Sequence, residues 1–447
     1  MGGRIAERST TPAHLQSNNG SLFYLSDTFR SYESLIQIPA PTMSIYADWG
    51  LRPIINASGA VTRLGGAPMP PAVLDAFRAA AQECVPLDVL QGLASREIAL
   101  HTGAEAGCVT SGAAAALLLG TAAILTGDDL GRMERLPDCT GFPHEFVVAR
   151  EHRNGYDHAV RATGARFVEV GFHEPISGAG VRRVEAWEYE AACGPQTAGI
   201  FYVYQATSHP PLIEVVEIAH EKGLPVLVDA AGQLPPRSNL RDILATGADL
   251  VCFSGGKAIR GPQATGLLCG RRDLVSAAAI QMLDMDDYFE LWDPPPELID
   301  KTQFRGLPRH GLGRTLKVSK EQIMAVLTAL RLFASGAYDV ELAQYDRRLA
   351  QIAASLAGLP VSCRLVKSAD SQSLPSLEIT LNEAALGRSA FEVCRSLRNG
   401  TPGIYVGHWG LEHGQLIVNP LHLDDANSVI LAQRLSEELQ PRGADRR

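Results

Sequence analysis

The chain has 447 residues, of which 46% are hydrophobic and 20% are charged, and its formal net charge is −9. Its length exceeds one ordinary hydrophobic core, so the composition predicts a soluble globular protein with two domains rather than a disordered chain. The acidic balance argues against a broad polyanion-binding surface, and therefore against nucleic acid as a partner.

The eight cysteines are scattered along the chain, and none of them forms a Cys-x-x-Cys pair. This pattern favours free thiols in a reducing cytoplasm over disulfides or a zinc site. The sequence has no apolar run long enough to span a bilayer, and its start has no signal-peptide core. We therefore expect a cytoplasmic protein without a membrane partner.

Residues 1–44 are rich in Ser, Thr, Asn and Arg. They predict a flexible N-terminal extension, or sequence translated ahead of Met43. Residues 45–90 are interpreted as an N-terminal arm and helix, because apolar side chains at helical spacing predict a helix over Pro70 to Cys84.

Residues 91–315 alternate between apolar strand patterns and helical patterns, and they predict a large domain. This alternation favours an α/β fold with a mostly parallel, doubly wound sheet and right-handed crossovers. The predicted strands are Cys108 to Ser111, Phe146 to Arg150, Arg166 to Val170, Ala198 to Tyr204, Pro225 to Asp229, Leu250 to Phe253 and Gly266 to Cys269.

Residues 316–447 predict a smaller C-terminal α+β domain. The Pro-rich acidic segment before it, Asp284 to Asp300, is interpreted as a plain linker or a lid. An amphipathic helix over Lys317 to Ala334 leads into the domain. Its other predicted elements are strands at Ser376 to Leu381, Gly403 to Val406 and Gln415 to Val418 and a closing helix at Asp425 to Leu439.

Lys257 carries the strongest functional signal. It follows Gly255 and Gly256 just after the apolar run Ala248 to Phe253, which predicts a buried strand. A lysine at such a strand end is commonly a surface cation. It can also be desolvated and made nucleophilic enough for Schiff-base chemistry.

Asp229 ends the apolar run that begins at Pro225, and a helix-length segment separates this strand from the strand before Lys257. In a parallel sheet, both side chains then emerge at the carboxyl edge, where α/β proteins bind ligands. Pyridoxal 5'-phosphate (PLP) requires such a pair, because the lysine binds it as a Schiff base and the carboxylate keeps its pyridine nitrogen protonated. The alternative for Asp229 is a helix N-cap or a turn.

A phosphate cradle is the third requirement. Ser111, Gly112 and Ala113 lie between a short predicted strand and an Ala/Leu-rich helix, where backbone N–H groups and the helix dipole favour an anion. Ser254 is a second candidate hydroxyl for the phosphate, three residues before Lys257. Any strand-to-helix turn has a similar pattern, and Ser254 has the alternative of an ordinary turn serine.

The segments 229–236 and 247–263 resemble the selenocysteine synthase-like group of PLP enzymes, which also includes D-glucosaminate-6-phosphate ammonia-lyase. The resemblance runs from about Trp49 to about Leu439, through Leu51 to Gly59 and Gly313 to Val318. It implies the fold of a fold-type I PLP-dependent transferase, similar to aspartate aminotransferase.

The resemblance also implies roles for single residues. Lys257 would carry the cofactor and Asp229 would contact its pyridine nitrogen. The phosphate would be held by Ser111, Gly112, Ala113 and Ser254. Members of the group place their site at a dimer interface, so a homodimer or a larger even-numbered assembly is expected.

Polar side chains near these segments supply the remaining candidates. His152, after the second predicted strand, is a ring to stack on the cofactor or a proton donor. Gln205 and Ser208 follow the fourth predicted strand and are candidates to bond the cofactor's phenolic oxygen. Arg260 and Arg314 are candidates for a substrate carboxylate or phosphate, since a guanidinium binds both groups.

His408 and His413 raise the question of a metal site. Their spacing on a glycine-broken loop fits no common ligand pattern, so no metal is predicted.

These residues predict a PLP-dependent enzyme, most simply a lyase. It would remove ammonia by β-elimination from a small hydroxylated or otherwise β-substituted amino acid and give a 2-oxo acid. A racemase, an aldolase or an aminotransferase would use the same Lys257 and Asp229. A transferase acting on aminoacyl-tRNA and a non-catalytic PLP-binding protein remain as further alternatives.

Overall fold

The computed structural model describes residues 44–172, 183–307, 309–367 and 374–441. The chain divides into two units, of which the first ends at Pro53 and the second begins at Ile54. In the first unit, a short 3-10 helix covers Ala47–Trp49. The predicted extension 1–44 lies outside the described residues except for its last position. All elements below belong to the second unit.

The described part of this unit contains strands that we number in chain order. They are β1 Ile55–Ala57, β2 Ala106–Thr110, β3 Glu145–Ala149, β4 Arg166–Val170, β5 Thr197–Val203, β6 Val226–Asp229, β7 Leu250–Ser254, β8 Gly266–Gly270, β9 Val361–Val366, β10 Ser376–Leu381, β11 Ile404–Val406 and β12 Gln415–Val418.

The α-helices are numbered in the same way. They are α1 Pro71–Ala81, α2 Leu87–Thr102, α3 Ala113–Thr126, α4 Leu130–Arg135, α5 Asp157–Arg161, α6 Ala186–Ala192, α7 Leu212–Glu221, α8 Asn239–Ala245, α9 Arg272–Met282, α10 Lys320–Ser335, α11 Leu342–Ser355, α12 Glu383–Leu386, α13 Ala390–Asn399 and α14 Asp425–Glu438.

The main sheet has the strand order β2-β8-β7-β6-β5-β3-β4 among the described residues. The run from β7 to β4 is parallel, as the alternating pattern predicts. Strand β8 is antiparallel to both of its neighbours, β2 and β7. Its direction follows from its connection, because residues 255–265 are too few for the helical crossover that a parallel pair needs. The predicted α/β fold class is confirmed.

A second cluster of buried side chains forms around the three-stranded sheet β12-β10-β9 and helices α11, α13 and α14. Strand β1 contributes Ile55 and Ala57 to this cluster, because it pairs in parallel with β11. The predicted domain limits at 45–90, 91–315 and 316–447 remain predictions. The burial pattern nevertheless places Ile55 and Ala57 in the same cluster as residues from the C-terminal part of the chain.

Helix α10 begins at a complete capping box. The Ser319 hydroxyl accepts a hydrogen bond from the backbone N–H of Gln322, and the Gln322 side chain accepts one from the backbone N–H of Ser319. Among the described residues, no single helix is both long enough and apolar enough to cross a membrane. By length and composition alone, the bent pair Lys320–Ser335 and Asp339–Ser355 passes when the two helices are taken together.

Candidate active site

The carboxyl ends of β6 and β7 place Asp229 and Lys257 at the same edge of the main sheet. The two strands are parallel neighbours, and Asp229 is paired in register with Cys252. Ser254 ends β7, and Lys257 follows three residues later. This edge is where open α/β sheets bind ligands. The structure therefore brings together the two residues on which the PLP prediction depends.

Asp229 lies almost completely inside the protein, with 8% of its surface exposed. Its Oδ1 accepts a hydrogen bond from the backbone N–H of Ala231 at 3.0 Å, and the Cys252 thiol approaches the same oxygen at 3.7 Å. Burial raises the pKa of the Asp229 carboxyl above its usual range, although these two contacts and the charge of Lys257 act in the opposite direction. A cationic ring nitrogen would stabilise the charged carboxylate at this position.

Lys257 is half-buried and forms no ion pair within the described residues. The place where a Cβ on Gly232 would stand is 3.7 Å from Lys257 Nζ, so the missing side chain leaves space beside the amine. Gly232 follows Asp229 by three positions along the same loop. The amine therefore lies beside the loop that carries the carboxylate.

The turn from β2 into α3 has the shape of an anion cradle. Gly112, the N-cap of α3, has φ +100°, a backbone conformation that L side chains rarely adopt. No atom lies within 4 Å of the place where its Cβ would stand, so the space in front of the turn is open. The first N–H groups of α3, from Ala113 onward, lack partners within the helix and are available to a phosphate.

Strand β8 packs directly against this cradle. A Cβ on Gly266 would stand 2.5 Å from the carbonyl carbon of Gly112 and 2.6 Å from the nitrogen of Ala113. Gly266 is also the register partner of both Thr110 and Ser254. Gly266 thus separates Ser254 on β7 from Thr110 on β2, which leads into the cradle. This position suits the predicted role of Ser254 as a second phosphate ligand. The Ser111 hydroxyl donates a hydrogen bond to the carbonyl of Leu316 at 3.2 Å.

His152 lies at the same edge, in a 3-10 helix that follows β3, and is only 5% exposed. Its Nδ1 accepts a hydrogen bond from the backbone N–H of Val203 at 3.4 Å, and Val203 is the register partner of Asp229. Its ring meets that of Tyr202 edge-on, with 4.5 Å between the centroids. Burial lowers the pKa of His152 to about 4, so the ring is neutral at physiological pH.

The other ring nitrogen of His152, Nε2, is buried and has no hydrogen-bond partner among the described residues. A buried polar atom without a partner is costly, so this ring nitrogen is available to a water molecule or a ligand at the sheet edge.

Gln205 and Ser208 lie in the loop after β5. The Ser208 hydroxyl donates to the carbonyl of Val203 at 3.5 Å, which keeps it near the sheet edge. The Gln205 side chain is exposed. Their contact with the cofactor stays a prediction.

Arg260 is not available to a substrate in this conformation. Its side chain is 11% exposed, and its guanidinium donates to both carboxylate oxygens of Glu341 at 2.9 Å and to the carbonyl of Pro68 at 3.1 Å. The guanidinium also lies over the ring of Tyr338, 4.7 Å from its centroid. The contacts of Arg260 give no support to a substrate-binding role.

Arg314 belongs to the 3-10 helix Leu312–Thr315, close to the carbonyl that Ser111 contacts. Its guanidinium donates to Asp284, and its buried Nε has no hydrogen-bond partner among the described residues. This place, beside the cradle, is compatible with the predicted binding of an anionic substrate group.

Three residues near the site were not found from the sequence. Cys252 contacts the Asp229 carboxylate only because the register of β6 and β7 places them side by side. Glu341 reaches Arg260 from a distant part of the chain, and no local pattern indicates this pairing. Gly232 lies beside Lys257 Nζ, but a Cβ there would make only an ordinary van der Waals contact, so no local pattern indicates this position.

The arrangement fits PLP on three independent observations. The buried Asp229 carboxylate with its raised pKa would be stabilised by a cationic partner. The half-buried Lys257 amine lies at the same sheet edge and has no ion pair in the described part of the chain, and the space beside Gly112 at the N-terminus of α3 is open. Asp229, Lys257 and the turn around Gly112 are the residues that could hold the cofactor.

Comparison with known proteins gives the same assignment. The family model for L-seryl-tRNA selenium transferase matches residues 157–285. A 5'-C-glycyluridine monooxygenase-decarboxylase from Streptomyces sp is 32% identical over 409 residues, which cover 89% of this chain and 92% of that protein. D-glucosaminate-6-phosphate ammonia lyase from Salmonella typhimurium is 28% identical over 407 residues, covering 89% and 98%.

Solved structures agree with these relatives. The structure of D-glucosaminate-6-phosphate ammonia-lyase superposes with a TM-score of 0.72 at 27% identity and covers 89% of this chain and 98% of that one. A cysteine desulfurase from Thermococcus onnurineus reaches a TM-score of 0.50 at 14% identity, covering 86% and 94%, a likeness of fold alone.

The fold and these relatives define the protein as a PLP-dependent enzyme of fold type I. More narrowly, the chain belongs to the selenocysteine synthase-like group, which includes D-glucosaminate-6-phosphate ammonia-lyase. The predicted family, fold class and cofactor are thereby confirmed.

Proposed function

We propose that this enzyme is a lyase that removes ammonia by β-elimination from a small hydroxylated or otherwise β-substituted amino acid and releases a 2-oxo acid. The observation that carries the proposal is that Asp229 ends β6 and Lys257 follows the end of the adjacent parallel strand β7, in a chain that aligns with nearly the whole length of an ammonia lyase. The roles of the individual site residues belong to the same proposal.

PLP, when bound, supplies an electron-accepting ring that stabilises negative charge on the substrate's Cα. Asp229 holds the proton on the pyridine nitrogen, because its buried carboxylate is stabilised by a cation at that atom. Lys257 would hold the cofactor through its amine. As a free amine beside the site, its Nζ would take the proton from the substrate's Cα.

His152 keeps the cofactor ring in place rather than acting as the acid. With a pKa of about 4, it carries no proton to spare at neutral pH, and a neutral imidazole is a poor acid. Its unpartnered Nε2 gives one hydrogen bond at the ring edge. The proton that helps the β-hydroxyl leave then comes from Lys257, which has just received one from Cα.

The cradle formed by Ser111, Gly112 and Ala113 holds the phosphate together with Ser254, which the register places beside it. Arg314 is the proposed contact for an anionic substrate group, because it lies next to this turn. Arg260 has a different task, which its pairing with Glu341 indicates. It ties the loop after Lys257 to the segment between α10 and α11.

A second reaction class is favoured by one observation. The Streptomyces relative named as a monooxygenase-decarboxylase is as similar to this chain as the ammonia lyase is. Decarboxylation would use the same lysine and carboxylate and would differ in which bond at Cα is broken. A racemase, an aldolase or an aminotransferase differs in the same way. A tRNA substrate has less support, because the selenium transferase from Rhizobium meliloti aligns over only 56% of its length.

The deciding experiment incubates purified holoenzyme with D- and L-hydroxyamino acids and their phosphorylated relatives. Ammonia, 2-oxo acid, carbon dioxide and oxygen uptake are measured in each reaction. Equal amounts of ammonia and 2-oxo acid without oxygen uptake support the lyase. Oxygen uptake with carbon dioxide release favours the second class, and absence of ammonia from all substrates rules out the proposed reaction.

We further propose a homodimer or larger even-numbered assembly in the cytoplasm. The dimer is inferred from the family, and the loop Gly261 to Gln263 is the candidate contact. Among the described residues all eight cysteines are free, which supports a reducing compartment.

A further inference from the structure

A further pair of parallel strands, outside the main sheet, lies in the same unit. Strand β1 pairs with β11, and Ala57 is in register with Val406 at their carboxyl ends. The chain leaves β1 towards the 3-10 helix Thr62–Leu64, and it leaves β11 towards His408. Polar side chains beyond the ends of neighbouring parallel strands commonly face a ligand.

Two arginines meet here on one aromatic ring. The guanidinium carbons of Arg63 and Arg398 lie 5.7 Å and 5.2 Å from the ring centroid of Tyr405. Neither guanidinium forms an ion pair with a carboxylate among the described residues. In addition, Arg398 Nε is buried without a hydrogen-bond partner. Two guanidinium groups that pack against one ring and have no carboxylate partner in the described part of the chain repel each other, and an anion within reach of both would relieve that repulsion.

The charges of Arg63 and Arg398 both act on the imidazole of His408. Arg63 donates a hydrogen bond to its Nδ1 at 3.3 Å. Burial, Arg63 and Arg398 all lower the pKa of His408, and no carboxylate among the residues that the structure describes acts in the opposite direction. The ring is therefore neutral, with its proton on Nε2 because Nδ1 accepts from Arg63, and this N–H is a further donor. The spacing of His408 and His413 predicts no metal site. The charged groups that act on His408 are the cations Arg63 and Arg398, which favour an anion as the ligand.

This cluster is connected to the loop that carries Lys257. The Gln263 side chain donates a hydrogen bond to the carbonyl of Thr62, the residue before Arg63. A few residues later, the backbone N–H of Ala67 donates to the carbonyl of Gly256 at 3.0 Å, next to Lys257. The segment that bears Arg63 is thus fixed at both ends to the lysine loop.

We propose that Arg63, Arg398 and His408 form an anion-binding subsite that takes a carboxylate or phosphate group of the substrate at the edge of the active site. Guanidinium groups bind both anions with several charge-assisted hydrogen bonds. That the anion belongs to the substrate rests on the proposed function; that the cluster binds an anion does not.

The first test measures binding without catalysis. Holoenzyme, whose cofactor phosphate occupies its own cradle, is titrated calorimetrically with inorganic phosphate and separately with malonate. Arg63→Gln and Arg398→Gln should each weaken binding at least about tenfold, since each removes a charged hydrogen-bond donor. Arg398→Lys should restore part of the loss.

Arg161→Gln is the matched control, because Arg161 is exposed, ends α5 and forms no ion pair in the described part of the chain. It should leave both affinities unchanged. The subsite is refuted if the wild-type protein binds neither anion, or if the two variants bind both anions as the wild-type protein does.

The second test identifies which substrate group is bound. A phosphorylated hydroxyamino acid is compared with its dephosphorylated form and with its α-methyl ester. Arg63→Gln should raise KM at least about tenfold, with little change in kcat, for every substrate that keeps the bound anion, and should have no effect on the substrate that lacks it. An equal effect on all three substrates contradicts a substrate anchor. If no substrate reacts, the lyase proposal fails, and the titration still decides the subsite.

Discussion

The guanidinium of Arg260 and the carboxylate of Glu341 are joined by two hydrogen bonds of 2.9 Å, across 81 positions of sequence. Arg260 has φ +63° and is the one non-glycine residue with a positive φ among those described. A side chain in this conformation carries backbone strain, which the surrounding contacts must offset. The pairing therefore stabilises the turn that follows Lys257.

Glu341→Gln tests this pairing. The variant leaves the largely buried guanidinium with a neutral partner, and we expect the free energy of unfolding to fall by about 1–2 kcal/mol, since Glu341 itself is about a third exposed. Urea unfolding measures the loss. Glu378→Gln is the control, because it removes a carboxylate whose partner Arg364 is 73% exposed, and it should cost less than about 0.5 kcal/mol. Equal losses in the two variants would contradict a special role for Arg260.

Lys257→Ala tests the proposed covalent contact with the cofactor. We expect the visible absorbance of the bound cofactor to disappear and turnover to fall by at least about a thousandfold, because both the attachment and the proton transfer depend on Nζ. Absorption spectra and ammonia release measure the two effects. Lys222→Ala, which breaks only a surface ion pair with Glu190, should change neither. Turnover that persists in Lys257→Ala would refute the mechanism.

Asp229→Asn should separate stability from activity. The raised pKa means that the folded protein binds this proton more tightly than the unfolded chain, so the stabilising contribution of the group is lost as pH rises through the folded pKa. At pH 7, cofactor-free Asp229→Asn should therefore be at least as stable as the wild-type protein.

The same variant should lose most of its activity, because an amide does not hold the pyridine proton. Thermal unfolding of the cofactor-free proteins at pH 5 and pH 7, together with ammonia release, measures both effects. If Asp229→Asn is less stable than the wild-type protein at pH 7, then the charged carboxylate does not destabilise the folded protein, and the prediction is wrong.

His152 should make the protein sensitive to acid. Its pKa of about 4 lies below that of an unfolded histidine, so its contribution is complete above about pH 6.5 and is lost as pH falls towards 4. For a ring that is 5% exposed, this loss is about 2–3 kcal/mol at pH 4.5. His152→Phe should lack it, which urea unfolding at pH 7.5 and pH 4.5 will show. The same pH dependence in both proteins would assign the acid sensitivity to other groups.

Gly266→Ala should weaken cofactor binding although Gly266 does not belong to the cradle. Its new Cβ would stand 2.5 Å from the carbonyl carbon of Gly112, so the turn must move. We expect PLP affinity to fall at least about tenfold, because the loss of even one charged hydrogen bond has this effect. Fluorescence titration of the cofactor-free protein measures it. Gly194→Ala, at a position with open space, is the control and should bind PLP normally.

The sequence predicts those parts of the candidate site that depend on local patterns. Asp229 ends an apolar run, and Lys257 follows the next such run after Ser254 and two glycines, so a predicted buried strand marks both positions without distant information. The contacts of Cys252 and Glu341 depend on register and on the packing of distant segments, which no window of sequence contains.

Two elements show the same limit in the fold. Helix α2 was not predicted, although Leu90, Ala94 and Ile98 recur at helical spacing and are buried. Strand β1 has only three residues, and it is a strand because it pairs with β11, a segment far along the chain. The sequence predicts an anionic partner for Arg260, and in the structure its guanidinium binds the Glu341 carboxylate, which lies too far along the chain for any local pattern to indicate it.

The pairing of β1 with β11 also determines when the molecule can finish folding. Ile55 and Ala57 leave the ribosome early, but the strand and the helices that cover them are synthesised last. These two side chains therefore lack their native packing partners until β11 has been synthesised. A recombinant fragment that starts near residue 316 would lack this strand. To be stable, it needs residues 54–57 supplied as a peptide or fused by circular permutation.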